Sequence, residues 1–257
     1  MLCFKNGGRE SQGDLLTTAT AGWVDRRALR REVNRAHSHM DKAEFSELAT
    51  HLALVGQECF RRGWAVGTSG NFSAVVSHDP LLLAITSSGV NKGALTAADV
   101  LQVDRDAKVI QGIGRPSAET KLHLAVVRTR GAASVLHTHS VWSTMISDSH
   151  AADGGLTISG YEMLKGLQEV GTHEHDEWIP IIENSQDIDA LVPRVEEELT
   201  RYPNAHGFLL RRHGLYTWGG TIAEAHRHVE ILEFLLEVVG RTESGGRSER
   251  GQPGRPA

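Results

Sequence analysis

The stretch Val135-Leu136-His137-Thr138-His139-Ser140 sets two imidazoles two residues apart behind an aliphatic lead. In an extended chain successive side chains alternate faces, so His137 and His139 project the same way. Two rings on one face form a bidentate platform for a metal, although an isolated H-x-H pair serves equally as two solvated or hydrogen-bonded histidines. Two other stretches bear on the choice. Upstream, Arg115-Pro116-Ser117-Ala118-Glu119 offers a carboxylate, and far downstream Arg211-Arg212-His213-Gly214 offers a third imidazole in a glycine turn. Catalytic zinc usually takes three protein ligands and keeps one position open, and His137, His139 and His213 make such a set, two close and one distant. Glu119 at a helix start is favoured there by the helix dipole as a purely structural acid. Beside a metal it is instead a general acid/base, because a bound divalent ion polarises a carbonyl and acidifies the adjacent C–H.

Two Ser/Thr/Gly-rich turns, Thr68 to Asn71 and Thr86 to Gly89, offer backbone N–H groups and hydroxyls of the kind that hold a phosphate, and Ser117 near a helix start could add to them. Neither turn matches the P-loop or the dinucleotide fingerprint. The remaining histidines are weaker candidates. Thr172-His173-Glu174-His175-Asp176-Glu177 is dense in charge after Gly171 and reads as a solvated loop. His226 and His228 are two apart on a helix and face different ways. His37 and His39 fall in an N-terminal segment without periodicity. None of these is taken as a ligand.

The elements that must position the three stretches are read from periodicity. Residues 1–40 read as a disordered or weakly ordered extension, with Met40 as an alternative start of translation. From Asp41 a helix runs to Gly63 on Phe45, Leu48, Leu52, Val55 and Cys59. Strands follow through Val76 and from Leu81 to Ile85, then Val100 to Val103 and Lys108 to Ile110. A helix starts at Pro116 and ends near Arg130, ahead of the Val135–His139 strand. Short helices are expected over Trp142–Ile146 and Tyr161–Val170, a strand over Trp178–Ile182, and a helix over Asp187–Arg201. Strands His206–Leu210 and Leu215–Trp218 flank the His213 turn. The last helix steps through Ile222, Ala225, Val229, Leu232, Leu236 and Val239, and residues 241–257 read as a solvated tail. Strands in small groups with helices between them, and no βαβ period, predict a single α/β domain over residues 41–240. Its central sheet is expected to be mostly antiparallel or mixed and flanked by helices.

The composition excludes several classes. A net charge of −5 and a pI near 6.3 argue against a nucleic-acid partner. No apolar run approaches the ~20 residues of a membrane span, so no membrane partner is expected. Cys3 and Cys59 are the only cysteines, which excludes a disulfide framework and suggests the cytoplasm.

Thr68-Ser69-Gly70-Asn71, Ser88-Gly89, Pro116-Ser117-Ala118-Glu119, His137-Thr138-His139 and His213-Gly214, in that order, resemble the zinc-dependent class II aldolase/adducin family over roughly residues 41–240. Within it the chain is most similar to the branch that dehydrates 5-methylthioribulose 1-phosphate in methionine salvage. That likeness rests on Tyr161-Glu162-Met163-Leu164-Lys165-Gly166-Leu167, Thr172-His173-Glu174-His175, Pro180 to Ile188, and His206 to Gly219. The resemblance implies one Zn²⁺ per subunit on His137, His139 and His213, and a phosphate site including Asn71, Ser88, Gly89 and Ser117. Ala118 stands where the aldolases often carry a second Ser. Two carboxylates compete for the acid/base role: Glu119 matches the aldolase Glu, and Glu162 matches the acid/base of the dehydratase branch. Glu162 also fits an exposed position on an amphipathic helix. The resemblance further implies a cytoplasmic homotetramer acting on a sugar phosphate. An aldolase or 4-epimerase for another sugar phosphate, and a non-catalytic adducin-like scaffold, are the alternatives.

Overall fold

The alternation read from Val135 onward becomes the middle strand of a nine-stranded sheet in a computed structural model, which describes residues 26–249 and the side chains of 43–244. The strands are β1 (Asn71–His78), β2 (Leu81–Thr86), β3 (Val100–Asp104), β4 (Val109–Gln111), β5 (Ser134–Thr138), β6 (Gly155–Ile158), β7 (Glu177–Ile182), β8 (Gly207–Leu210) and β9 (Gly214–Gly219). Their order is β4-β3-β2-β1-β5-β9-β8-β7-β6. Every pairing is antiparallel except β7 with β8, so the sheet is mixed and mostly antiparallel, as expected. The helices are α1 (Arg26–Arg61), α2 (Thr120–Arg130), α3 (Val141–Ser149), α4 (Ile188–Arg201) and α5 (Ile222–Glu249). The chain divides into two units, Met1–Met40 and Asp41–Ala257, and the sheet and everything built on it belong to the second.

The period of two decides what each face of β5 meets. Val135 joins Leu122, Val126, Leu191, Val195, Phe208, Leu210 and Tyr216 in a core under α2 and α4. Leu136, one residue on, turns to the opposite face, against Leu52, Phe72, Ala225 and Val229. The C-terminal half of α5 closes that second face with Ile231, Leu232, Leu235 and Leu236 over Leu209 and Leu215. Truncating the fully buried Leu136 to Ala would cost about 2–5 kcal/mol in lost transfer energy and cavity. His137 therefore faces the α2/α4 core and Thr138 faces α5.

Several boundaries differ from the sequence expectation. The helix expected from Asp41 begins at Arg26; residues 1–25 and 250–257 lie outside the described residues, as do the side chains of His37 and His39. The tail expected from residue 241 continues α5 to Glu249, where Arg241 bonds Glu237 and Thr242 bonds the Val238 carbonyl one turn back. The helix expected at Pro116 starts at Thr120, because the Ser117 hydroxyl accepts the Glu119 N–H at 3.2 Å and holds a turn there. The Tyr161–Val170 helix reduces to a 3₁₀ stretch, Glu162–Gly166, between Gly160 at φ 79° and Glu169 at φ 61°. Strand β6 had no expectation; its apolar signal is only Leu156 and Ile158.

Candidate active site

β5 delivers His137 from its last pleat and His139 just beyond its end, where the His139 N–H donates to the Trp64 carbonyl at 2.6 Å. The β8–β9 turn delivers His213. Arg212 adopts φ 54° there, and a Cβ on Gly214 would overlap the Thr138 carbonyl oxygen and stand against the His137 ring. Glycine beside His213 is thus what lets the turn close on β5. Glu119 sits at the N-cap of α2 and completes the group.

The four side chains place one ligand atom each within 4.8 Å of the others. Nε2 of His139 lies 2.7 Å from Nε2 of His137 and 3.1 Å from Nε2 of His213, and His137 and His213 are 3.4 Å apart. Oε1 of Glu119 is 3.1 Å from His213 Nε2, and Oε2 is 3.8 Å from His137 Nε2. His137 spends its Nδ1 proton on the Leu215 carbonyl at 2.9 Å, so its Nε2 presents a lone pair to the other rings. Burial pulls His137 well below its ordinary pKa and His139 to about 4, leaving both rings neutral at physiological pH. Neutral imidazoles with converging lone pairs, next to a carboxylate, are the donor set a divalent metal requires and hydrogen bonds alone cannot satisfy. Burial pushes Glu119 up, but the His213 hydrogen bond, the nearby His137 and His213 rings and the Asn71 amide outweigh it and hold the carboxyl well below its ordinary value.

Asn71 is 5% exposed and turns inward. Its Nδ2 donates to Glu119 Oε2 at 2.8 Å and its Oδ1 meets His123 Nε2. The side chain expected on a phosphate is therefore engaged with the carboxylate. Ser88 is half-buried and Gly89 exposed at φ 78°, while the Ser117 hydroxyl is the acceptor that caps Glu119. Lys92, fully buried, donates from Nζ to the Thr68 and Val90 carbonyls at 3.1 Å each and ties the two Ser/Gly turns together.

Glu162 is not brought to this group. Its side chain is 74% exposed and pairs with Lys165 at 2.7 Å, which lowers its pKa. It lines a shallow groove with Arg62, Trp64, Met163 and Phe234.

Sequence reasoning missed three residues. His123 stands one helical turn after Glu119, a spacing that could have revealed it. Tyr216 stacks on His137 with ring centroids 3.8 Å apart, its hydroxyl buried without a partner. Lys92 carried no readable signal. The Thr172–Asp176 stretch is the mostly exposed loop expected, but Glu177 departs from it: it opens β7 at 1% exposure and, with His175 and His206, forms a second titratable group. His228 accepts the Gln168 N–H and bonds the Trp218 carbonyl, a structural role that agrees with its exclusion as a ligand.

A mostly antiparallel sheet with helices on both faces and three histidines and a glutamate at the end of its middle strand defines the class. The chain belongs to the class II aldolase and adducin N-terminal domain family, whose model matches residues 50–239. It is 40% identical over 198 residues to methylthioribulose-1-phosphate dehydratase of Marinobacter nauticus, covering 77% of this chain and 94% of that one. It is 41% identical over 199 residues to methylthioribulose-1-phosphate dehydratase of Sorangium cellulosum, covering 77% and 93%. In fold it resembles L-fuculose-1-phosphate aldolase of Thermus thermophilus, with a TM-score of 0.62, 23% identity, and 83% and 100% of the two chains covered.

Proposed function

We propose that this chain is a zinc-dependent methylthioribulose-1-phosphate dehydratase, converting 5-methylthioribulose 1-phosphate to 2,3-diketo-5-methylthiopentyl 1-phosphate in methionine salvage. The observation that carries the reading is the convergence of three imidazole Nε2 atoms on one side of Glu119, in a chain about 40% identical to dehydratases across nearly their whole length. His137, His139 and His213 would hold one Zn²⁺ per subunit. When bound, the ion supplies a Lewis acid for the ketone and hydroxyl oxygens of the substrate.

Glu119 is the proton acceptor. Its Oε2 is held by Asn71, so Oε1 is the oxygen that faces the histidines and is positioned for the C3 proton of the substrate. Loss of the C4 hydroxyl with a proton, as water, leaves an enol that relaxes to the diketone. Tyr216, kept protonated by burial and by the Glu119 charge, walls the His137 side against water. Ser88, Gly89 and Ser117 are the phosphate contacts in this reading. Ser117 would use its hydroxyl proton, since its oxygen already accepts from the Glu119 N–H. The protein acts as a cytoplasmic homotetramer, and Glu162, exposed and apart from Glu119 within one chain, supplies the leaving-group proton only from a neighbouring subunit.

The test is mass spectrometry of the zinc-loaded protein with 5-methylthioribulose 1-phosphate. A product lighter by one water is expected. Two carbon fragments would replace the reading with an aldolase. Unchanged substrate with zinc bound would move it to another sugar phosphate, and absence of bound zinc would leave the adducin-like scaffold.

A further inference from the structure

We propose that His123 is a positioning residue, orienting the Asn71 amide so that Asn71 donates to Glu119 and leaves Oε1 as the reactive oxygen. The inference rests on the reading of Glu119 as proton acceptor. His123 is fully buried on α2, with Ser73 Oγ 2.7 Å from its Nδ1 and the Asn71 Oδ1 against its Nε2.

The direction of every proton in this chain follows from one end. A carboxylate only accepts, so Asn71 must turn its NH₂ group to Glu119 Oε2. Its Oδ1 is then presented to His123 and needs a donor, which fixes the His123 proton on Nε2. Nδ1 is left as an acceptor, and the Ser73 hydroxyl supplies its proton. Reversing any member would set two lone pairs or two protons face to face among buried side chains, at a cost of about 1–3 kcal/mol per unsatisfied group. Burial keeps the ring neutral, with a pKa of about 4, so the one-donor, one-acceptor state persists across the working pH. The ring is also braced from the side by Tyr216, whose ring lies edge-on at 5.7 Å and stacks in turn on His137. Ser73 sits on β1, and its hydroxyl has a second contact, the Val135 carbonyl at 3.3 Å on β5. The relay thus anchors Glu119 to the same two strands that carry the histidines, so base and ligands keep one frame.

The experiment compares His123→Leu, His123→Gln and Ser73→Ala in the zinc-loaded full-length protein, reading metal content, kcat, KM and the pH profile of kcat/KM. His123→Leu should keep a full equivalent of zinc and lose ~10–100-fold in kcat, as orienting partners of catalytic groups typically do. Its acid limb should move up in pH, because Glu119 loses a hydrogen bond that favours the charged form. His123→Gln, whose amide nitrogen falls near the Nε2 position, should recover most of both. Ser73→Ala should shift the limb the same way by less, and decides the matter if His123→Leu does not fold. In a Glu119→Gln background, His123→Leu should cost nothing further. An unmoved acid limb in both His123→Leu and Ser73→Ala, or a Gln variant no better than Leu, overturns the positioning role. Wild-type turnover in Glu119→Gln overturns the base assignment instead. The ¹⁵N-histidine spectrum reads the geometry without turnover: the Nε2–H tautomer is expected for His123, and Nδ1–H would overturn the relay.

Discussion

Among the described residues two groups gather histidine and glutamate closely enough to hold a metal, and they differ in where their lone pairs point. At His137, His139 and His213 the ring nitrogens face one another at 2.7–3.4 Å, and only His213 also meets an oxygen, Glu119 Oε1 at 3.1 Å. At His175, Glu177 and His206 three ring nitrogens face an oxygen. His175 Nε2 and His206 Nδ1 both lie 2.9 Å from Glu177 Oε2, while His206 Nε2 lies 2.8 Å from the Gln168 carbonyl. An imidazole whose two nitrogens both meet acceptors must donate from both, so His206 is held as an imidazolium. The first group is able to hold a cation; in the second the place is taken by a proton. Residue types do not separate these cases, and the partner of the outward nitrogen does.

Removing one histidine from each group separates them most strongly. His139→Ala should abolish bound metal and reduce turnover below detection, while His175→Ala should keep one equivalent of metal, measured by elemental analysis of purified protein. A second metal equivalent in the wild-type protein that disappears in His175→Ala would erase the distinction.

The next effect concerns the carboxylates. Glu119→Gln should lower kcat ~10²–10⁴-fold with metal retained, the usual range for an acid/base group. Glu162→Gln should also lower it if the neighbouring subunit supplies that residue. Mixing the two inactive variants under subunit exchange should then restore roughly a quarter of the sites. Restoration fails if both carboxylates act within one chain.

The convergence of His137, His139 and His213 was legible because it rests on short-range rules. The period of two aligned His137 with His139, and the glycine after His213 announced a close backbone approach. Glu119 was legible for the same reason, as a first-turn carboxylate after Pro116. The pairing of Asn71 with His123 was not, because His123 comes from a helix 52 residues away and meets Asn71 only once β1 lies beneath α2. The charge-dense Thr172–Glu177 segment looked solvated because nothing local shows that Glu177 is covered by His206, which β8 brings from 29 residues on. Glu162 showed the reverse limit: its motif fits a family role, but its environment in one chain is solvent and Lys165.

The filled group should also declare itself in stability. Burial pushes Glu177 up, but the His206 hydrogen bond and charge hold it below its ordinary 4.5; the same pair raises His206 above 6.5 against burial. The Glu177 contribution is present above about pH 4.5 and lost as pH falls through its depressed folded value. The His206 contribution is complete below about pH 6.5 and lost as pH rises through its elevated folded value. The triad is therefore strongest in mildly acidic solution. Glu177→Gln should cost ~3 kcal/mol there, in the range for breaking a buried pair, and less in alkaline solution. Chemical denaturation at several pH values measures this, and a pH-independent cost would refute the imidazolium.

Glu233 sharpens the comparison from the far side of β5, where a carboxyl is buried with neither metal nor histidine. It sits on α5 directly under the strand end; Thr138, between His137 and His139, donates to its Oε1 at 2.5 Å, and Oε2 has no partner. Burial raises its pKa to about 7 from an ordinary 4.5. Here the sign is opposite to that of Glu177: the folded state holds the proton more tightly, so stability falls as pH rises through the interval between those values and levels off above the folded one. Between about pH 6 and about pH 8 the loss amounts to about 1 kcal/mol. Glu233→Gln keeps the shape and the Thr138 contact but cannot ionise, so its stability relative to wild type should improve by that amount across the same interval. A parallel pH dependence in the two proteins would mean that Glu233 is ionised already, and that Ser140 or a water, rather than burial alone, governs the space beneath the histidine strand.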